Sequence, residues 1–183
     1  MYSETKTRLP IVGVMGSGSK AHRDRAGALG KWLAEEGVHL LTGGGGGVME
    51  TVSRAFYEVS HRKGLVIGIL PGNVADRKYR PAPGYPNPWV EIPIPTHLPL
   101  SGTQGTDPMS RNHINILSSD VIVALPGSHG TASEVALAMA YGRPVIAYLD
   151  RRAQIDGLPD SARVEPDFKE IKTFVRRQIH TGD

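Results

Sequence analysis

Short apolar runs alternate along the chain with longer amphipathic segments. Residues 11–15, 38–42, 65–70, 121–125 and 145–149 are runs rich in aliphatic and β-branched side chains, the pattern of strands buried on both faces. Residues 89–94 predict one more strand. Between the first two runs, Ala26, Leu29, Trp32 and Leu33 fall at helical spacing within residues 22–36, and Gly37 ends that segment. Met49, Val52, Ala55, Phe56 and Val59 mark a second helix, stopped near Gly64. Pro108 suits the first turn of a third, running to about Ser118. Residues 131–141 predict a fourth helix, apolar nearly all round, so either its own subunit or a second copy must cover more than one face. Residues 166–180 predict a terminal helix with Phe168, Ile171, Phe174 and Val175 on one side. The Pro- and Gly-rich stretch 71–88 reads as a long loop that either covers a site or serves only as packing surface. This alternation predicts an α/β chain: a single Rossmann-like, doubly wound domain over residues 1–183. Its sheet should be mainly parallel, with about six or seven strands and right-handed crossovers. Residues 1–9 are expected to form a flexible N-terminal tail.

The 183 residues suit one core-forming domain. The absence of cysteine excludes disulfide scaffolds, thiolate metal sites and cysteine nucleophiles. No apolar run approaches the ~20 residues that span a bilayer, and the N-terminus lacks a signal-like apolar segment, so no membrane partner and a cytoplasmic location are expected. The 21 basic and 18 acidic residues, a formal +3, are interleaved, and aromatics make up 6% of the chain. A basic stripe with aromatic platforms is missing, so a nucleic-acid partner is not expected. The histidines are dispersed without ligand spacing, so no metal site is expected. The lysines fall in polar or helical contexts, which sets aside a Schiff-base decarboxylase.

The 22 glycines are what change the picture, because they gather at strand ends. The first strand runs into Gly16-Ser17-Gly18-Ser19. The second ends in Thr42 followed by Gly43, Gly44, Gly45, Gly46 and Gly47. The fifth ends in Pro126-Gly127-Ser128-His129-Gly130-Thr131. In an open α/β sheet ligands bind beyond the carboxyl ends of the strands, and helix N-termini offer unpaired N–H groups to anions. Three such junctions on one edge point to a phosphate or another small anion. The P-loop pattern is absent. Residues 16–21 fit G-x-G-x-x-A, but no carboxylate follows the second strand to take ribose hydroxyls, which argues against NAD and FAD. Thr131 can hydrogen-bond a phosphate, and Glu134 is expected in the first turn of its helix. Arg111, on the preceding helix, can pair with Glu134, clamp a phosphate bidentately or face solvent. His129 faces either the ligand or the surface.

Residues Arg111 through Glu134 resemble the Lonely Guy (LOG) family and the related molybdenum-cofactor carrier proteins, within a Rossmann-like nucleotide-binding superfamily. An Arg-bearing helix precedes a strand and a segment similar to P-G-G-x-G-T-x-x-E. The glycine run 43–47 and Leu70-Pro71-Gly72 fit as well, while IVGVMGS and NILSSDVIVAL look closer to the carrier branch. The resemblance implies a nucleoside 5′-monophosphate phosphoribohydrolase, cleaving the N-glycosidic bond to free base and ribose 5-phosphate. Arg111 and Glu134 would be the catalytic pair. Gly16, Ser17, Gly43 to Gly46 and Pro126 to Thr131 would hold the ligand. The alternative is a non-catalytic carrier of molybdenum cofactor or another phosphorylated ligand. No cofactor is required for hydrolysis; a nucleoside monophosphate, phosphate or molybdenum cofactor would be the bound species. A homodimer or higher homo-oligomer is implied. Two positions depart from the LOG pattern: Ser128 replaces the second glycine of P-G-G, and Asn112 replaces the usual Lys after the Arg.

Overall fold

A computed structural model describes residues 8–75 and 78–180. Residues 1–7 of the expected tail lie outside the described residues. The strands are β1 Ile11–Met15, β2 His39–Thr42, β3 Val66–Leu70, β4 Gly72–Ala75, β5 Lys78–Pro81, β6 Ile92–Pro95, β7 Val121–Ala124, β8 Val145–Tyr148 and β9 Val164–Glu165. The helices are α1 Arg23–Glu35, α2 Val48–Tyr57, α3 Asn112–Leu117, α4 His129–Ala140 and α5 Phe168–Ile179, with single 3-10 turns at Gly102–Gln104 and Arg152–Gln154. Seven strands form one sheet in the order β6-β3-β2-β1-β7-β8-β9. Every neighbouring pair in it is parallel. The architecture is the Rossmann-like α/β fold that the alternation predicts.

Each sheet face is buried by a different helix layer, which is why the strands read as unbroken apolar runs. Val12 and Val14 of β1, Leu40 of β2 and Val121 and Val123 of β7 pack with side chains of α1, α2 and α5. Met15, Leu41 and Ile122 point the other way, against Ile116 of α3 and Leu137 of α4. Ala124 and Ala147 meet Ala132 and Val135 of α4. Strand order reverses between β1 and β7, so the loops that leave these strands splay apart and open a crevice at their carboxyl ends.

Several boundaries differ from the sequence reading for local reasons. The third helix starts at Asn112 and not at Pro108, because the Asp107 carboxylate accepts from the Met109 N–H at 2.8 Å and holds a turn there. The fourth starts at His129, two residues early, which moves Glu134 out of the first turn. The loop 71–88 contains an antiparallel hairpin, β4 with β5. Strand 89–94 begins only at Ile92, since Asn87 Oδ1 accepts from the Trp89 N–H in a tight turn. Pro93 and Pro95 confine β6 to the sheet edge, where a missing N–H costs no ladder bond. The two-residue β9 is too short to leave a periodic signal. Among the described residues no helix is long and apolar enough to cross a membrane, and no group of three or more acidic or His side chains is placed to hold a metal ion.

Asp120 clips the start of β1. Its carboxylate accepts from the Ile11 N–H at 2.8 Å and from Arg8 Nη1 and Nη2 at 2.8 and 2.6 Å. Partial burial opposes ionisation, but these donors outweigh it and hold the carboxyl below its ordinary value. Asp120→Asn is therefore expected to cost about 1 kcal/mol in urea unfolding at pH 7. A depressed native pKa stabilises above the unfolded value, so the gap between wild type and variant should shrink as pH falls through the native pKa.

Candidate functional site

The crevice between the β1 and β7 loops holds a cleft of about 160 Å³. Its floor is a buried polar group: Arg111 (4% exposed), Asn112 and Glu134 (8% exposed), with Thr131 beside them. Arg111 caps the start of α3, where its carbonyl accepts from the Ile114 and Asn115 N–H groups. Its guanidinium then reaches back across the sheet edge to lie on Gly43. A Cβ at Gly43 would collide with this guanidinium, so the glycine makes room for it in this position. Tyr85 stands nearby, its ring centroid 6.0 Å from the Arg111 Cζ. The solvent-facing reading of Arg111 is thereby corrected.

Polar satisfaction here is incomplete. Arg111 Nη1 donates to Asn112 Oδ1 at 3.1 Å, but stands 3.9 Å from Glu134 Oε1, beyond hydrogen-bond reach. Asn115 Nδ2 donates to the same Glu134 oxygen at 3.2 Å. Arg111 Nε and Asn115 Oδ1 are buried and have no partner among the described residues. Burial pushes the Glu134 carboxyl above the ordinary range; the Arg111 charge and the Asn115 amide pull it down without overcoming that.

The opening turn of α4 borders the same cleft through Ser128, Gly130 and Thr131. The first intrahelical bond there runs from the Ala132 N–H to the Ser128 carbonyl. The N–H groups of His129, Gly130 and Thr131 thus have no partner within the helix. Two N–H groups near this turn are already used. Gly127 donates to the Gln154 carbonyl at 3.0 Å, and Ser17 donates to the Pro126 carbonyl at 3.0 Å.

The candidate residues consequently separate. Arg111, Glu134, Gly16, Ser128, Gly130 and Thr131 line the cleft together. Ser17, Pro126 and Gly127 line a neighbouring depression of about 400 Å³ that shares Ser128 as its border. Gly43 to Gly46 stand behind the cleft as packing. Gly43 accommodates Arg111, Gly44 sits over Leu70, Gly45 lies under Tyr85 and Met49, and Gly46 faces the Gly18 carbonyl. Their backbone is partly spoken for, since Asn87 donates to the carbonyls of Gly44 and Gly45 at 2.7 and 2.9 Å. His129 turns outward to Asp156, with Nε2 at 3.1 Å from Oδ2. The glycine run therefore stands behind the cleft without lining it, and of the two readings of His129 the structure has the surface one.

Sequence reading missed Tyr85, Met49, Ser101 and Gly102 as cleft residues. Tyr85 and Ser101 come from irregular segments that carry no periodic signal. Asn115 had one: it stands four residues after Arg111, one helical turn on.

The sequence model of the SLOG cluster4 family matches residues 9–171. An uncharacterised protein of Archaeoglobus fulgidus is 32% identical over 154 residues, 82% of this chain and 87% of that one. The molybdenum cofactor binding protein of the phototrophic bacterium Rippkaea orientalis is 32% identical with a TM-score of 0.70, over 94% of this chain and 98% of that one. The molybdenum cofactor carrier protein of Chlamydomonas reinhardtii is also 32% identical, with a TM-score of 0.60, over 94% and 88% of the two chains.

Proposed function

Since the chain belongs to the SLOG cluster4 family, we propose that it binds a phosphorylated small molecule at the β1–β7 crevice and acts as a carrier of molybdenum cofactor. The observation behind this reading is the under-compensated guanidinium of Arg111. A buried cation with one side-chain hydrogen bond, and a carboxylate only at 3.9 Å, is costly unless another anion completes its shell. A phosphate monoester is such an anion, and the free N–H groups of α4 supply the rest of its cradle. The cleft of about 160 Å³ is below the 300–1,000 Å³ common for whole ligands, so it takes the head group and leaves the remainder to extend outward. Relatives that bind or carry molybdenum cofactor over nearly the same length favour that cargo.

The test is retention of cargo. Protein mixed with molybdenum cofactor released from a donor enzyme is passed through gel filtration, and molybdenum is counted per chain. Near-stoichiometric metal that falls sharply in Arg111→Met supports the reading; no metal above the level of an unrelated protein refutes it.

The phosphoribohydrolase reading is the second, and the shared cleft of Arg111 and Glu134 favours it. An ionised Glu134 would stabilise an oxocarbenium-like ribosyl centre and orient water, with Arg111 holding the carboxylate or the phosphate. If the protein turns over any nucleoside 5′-monophosphate, Glu134→Gln is expected to lower base release by about 10²–10⁴-fold while leaving binding within a few-fold. Free base is followed by chromatography. Loss of binding in the folded variant would instead make Glu134 a recognition residue. In the expected homodimer, exposed Leu117, Met139 and Tyr141 would be covered by the second copy.

A further inference from the structure

The depression of about 400 Å³ on the far side of Ser128 has no role in the reading above. It lies at the carboxyl ends of β1, β7 and β8, and the β1 loop serves both hollows in alternation. Gly16 and Gly18 face the Arg111 cleft, while Ser17, Ser19 and Lys20 face the depression. Its ionisable groups are Lys20, His22, Arg151 and Asp156. Of the carboxylates on this edge, Asp150 pairs with Arg25, while Asp156 meets His129, which cancels its charge only when protonated. Lys20 and Arg151 have no acidic partner among the described residues, so against the one carboxylate of Asp156 the hollow keeps a net positive charge. The Ser17 hydroxyl oxygen accepts from the Ser19 and Lys20 N–H groups at 3.2 and 2.9 Å, and stands 3.4 Å from the Ser19 hydroxyl, so the two hydroxyls share a proton that a ligand oxygen could take up instead.

His22 sharpens the picture. It has φ 41° and ψ 51°, and among the described residues it is the one non-glycine with positive φ. Such a backbone is costly for an L-residue and persists only when its surroundings enforce it. It sets the imidazole on the rim of the depression. Burial, with Lys20 and Arg25 nearby, lowers the His22 pKa, so the ring stays neutral at pH 7 and can both donate and accept.

We infer that this depression is a second anion subsite, and that the protein takes a diphosphate ligand. One phosphate would lie against Gly130, Thr131 and Arg111, the other across Ser128 against Ser17, Lys20 and Arg151. The chemical class is a phosphoanhydride, such as a nucleotide-extended form of a phosphorylated cargo. This inference rests on the phosphate cradle proposed above.

Calorimetric titration with inorganic phosphate and with pyrophosphate, metal-free and at fixed ionic strength, separates the two claims. Pyrophosphate is expected to bind about tenfold or more tightly than phosphate, from two further charge-assisted contacts. The double variant Lys20→Ala/Arg151→Ala should erase that advantage and leave phosphate affinity within about twofold, since both side chains stand away from the Arg111 cleft. Phosphate binding without a pyrophosphate gain, or a gain that survives in the double variant, overturns the second subsite alone. No binding of either anion overturns the cradle, and the second subsite with it.

Discussion

Arg111→Met is expected to lower the melting temperature by roughly 10 °C at pH 8, and to recover part of that loss toward pH 5. Removing one member of a buried ion pair costs about 3–5 kcal/mol; relief of the under-compensated Arg111 charge offsets part of this, so the low end applies, and in a chain of this size each kcal/mol moves the midpoint by about 2–4 °C. The pH dependence follows from Glu134. Its carboxyl is raised in the native state, so its stabilising contribution is fully present below the unfolded pKa and is lost as pH rises through the native one. Arg111 works against that shift. Without it the native pKa climbs further, the stability lost on ionisation grows, and the variant becomes more sensitive to pH than wild type. Circular-dichroism melts at pH 5 and pH 8 measure both effects. A variant as stable as wild type at pH 8 would mean that the pair is not electrostatically coupled.

The second large effect needs one methyl group. Gly43→Ala places a Cβ in the space of the Arg111 guanidinium, 2.8 Å from both Cζ and Nη1. The guanidinium is the far end of a flexible side chain and borders the cleft, so it is expected to yield into the cleft, away from its place on Gly43. Over-packing of this kind costs about 1–3 kcal/mol in stability. Displacing a cation that makes charge-assisted bonds should also weaken phosphate binding by about 10–100-fold. Titration with adenosine 5′-monophosphate reads the second effect. A control outside the cleft, Gly27→Ala on α1, meets nothing within 4 Å and should bind normally. Unchanged affinity in Gly43→Ala would remove Arg111 from the site.

Strands β1, β2, β3, β7 and β8 were legible because both sheet faces are covered there, so burial wrote continuous apolar runs into them, whereas the hairpin β4–β5 is largely exposed and left no such run. The α4 junction was legible because an open helix N-terminus needs small residues in front of it. Gly43 to Gly46 shared that glycine signature for another reason. They make room for Arg111 and for Met49, Leu70 and Tyr85, and sequence does not distinguish a glycine that admits a ligand from one that admits a side chain. Tyr85 was invisible because its loop is shaped by Asn87 bonding to Gly44 and Gly45, a contact between segments about forty residues apart. His22 was read as an ordinary helix start, since nothing in its neighbours announces a left-handed backbone.

The central claim is that the opening turn of α4 and the guanidinium of Arg111 together receive a phosphate. Amide NMR during titration with adenosine 5′-monophosphate addresses it residue by residue. The account predicts saturable shifts at Gly130 and Thr131 that vanish in Arg111→Met. Shifts confined to other parts of the molecule, or identical shifts in that variant, would contradict it.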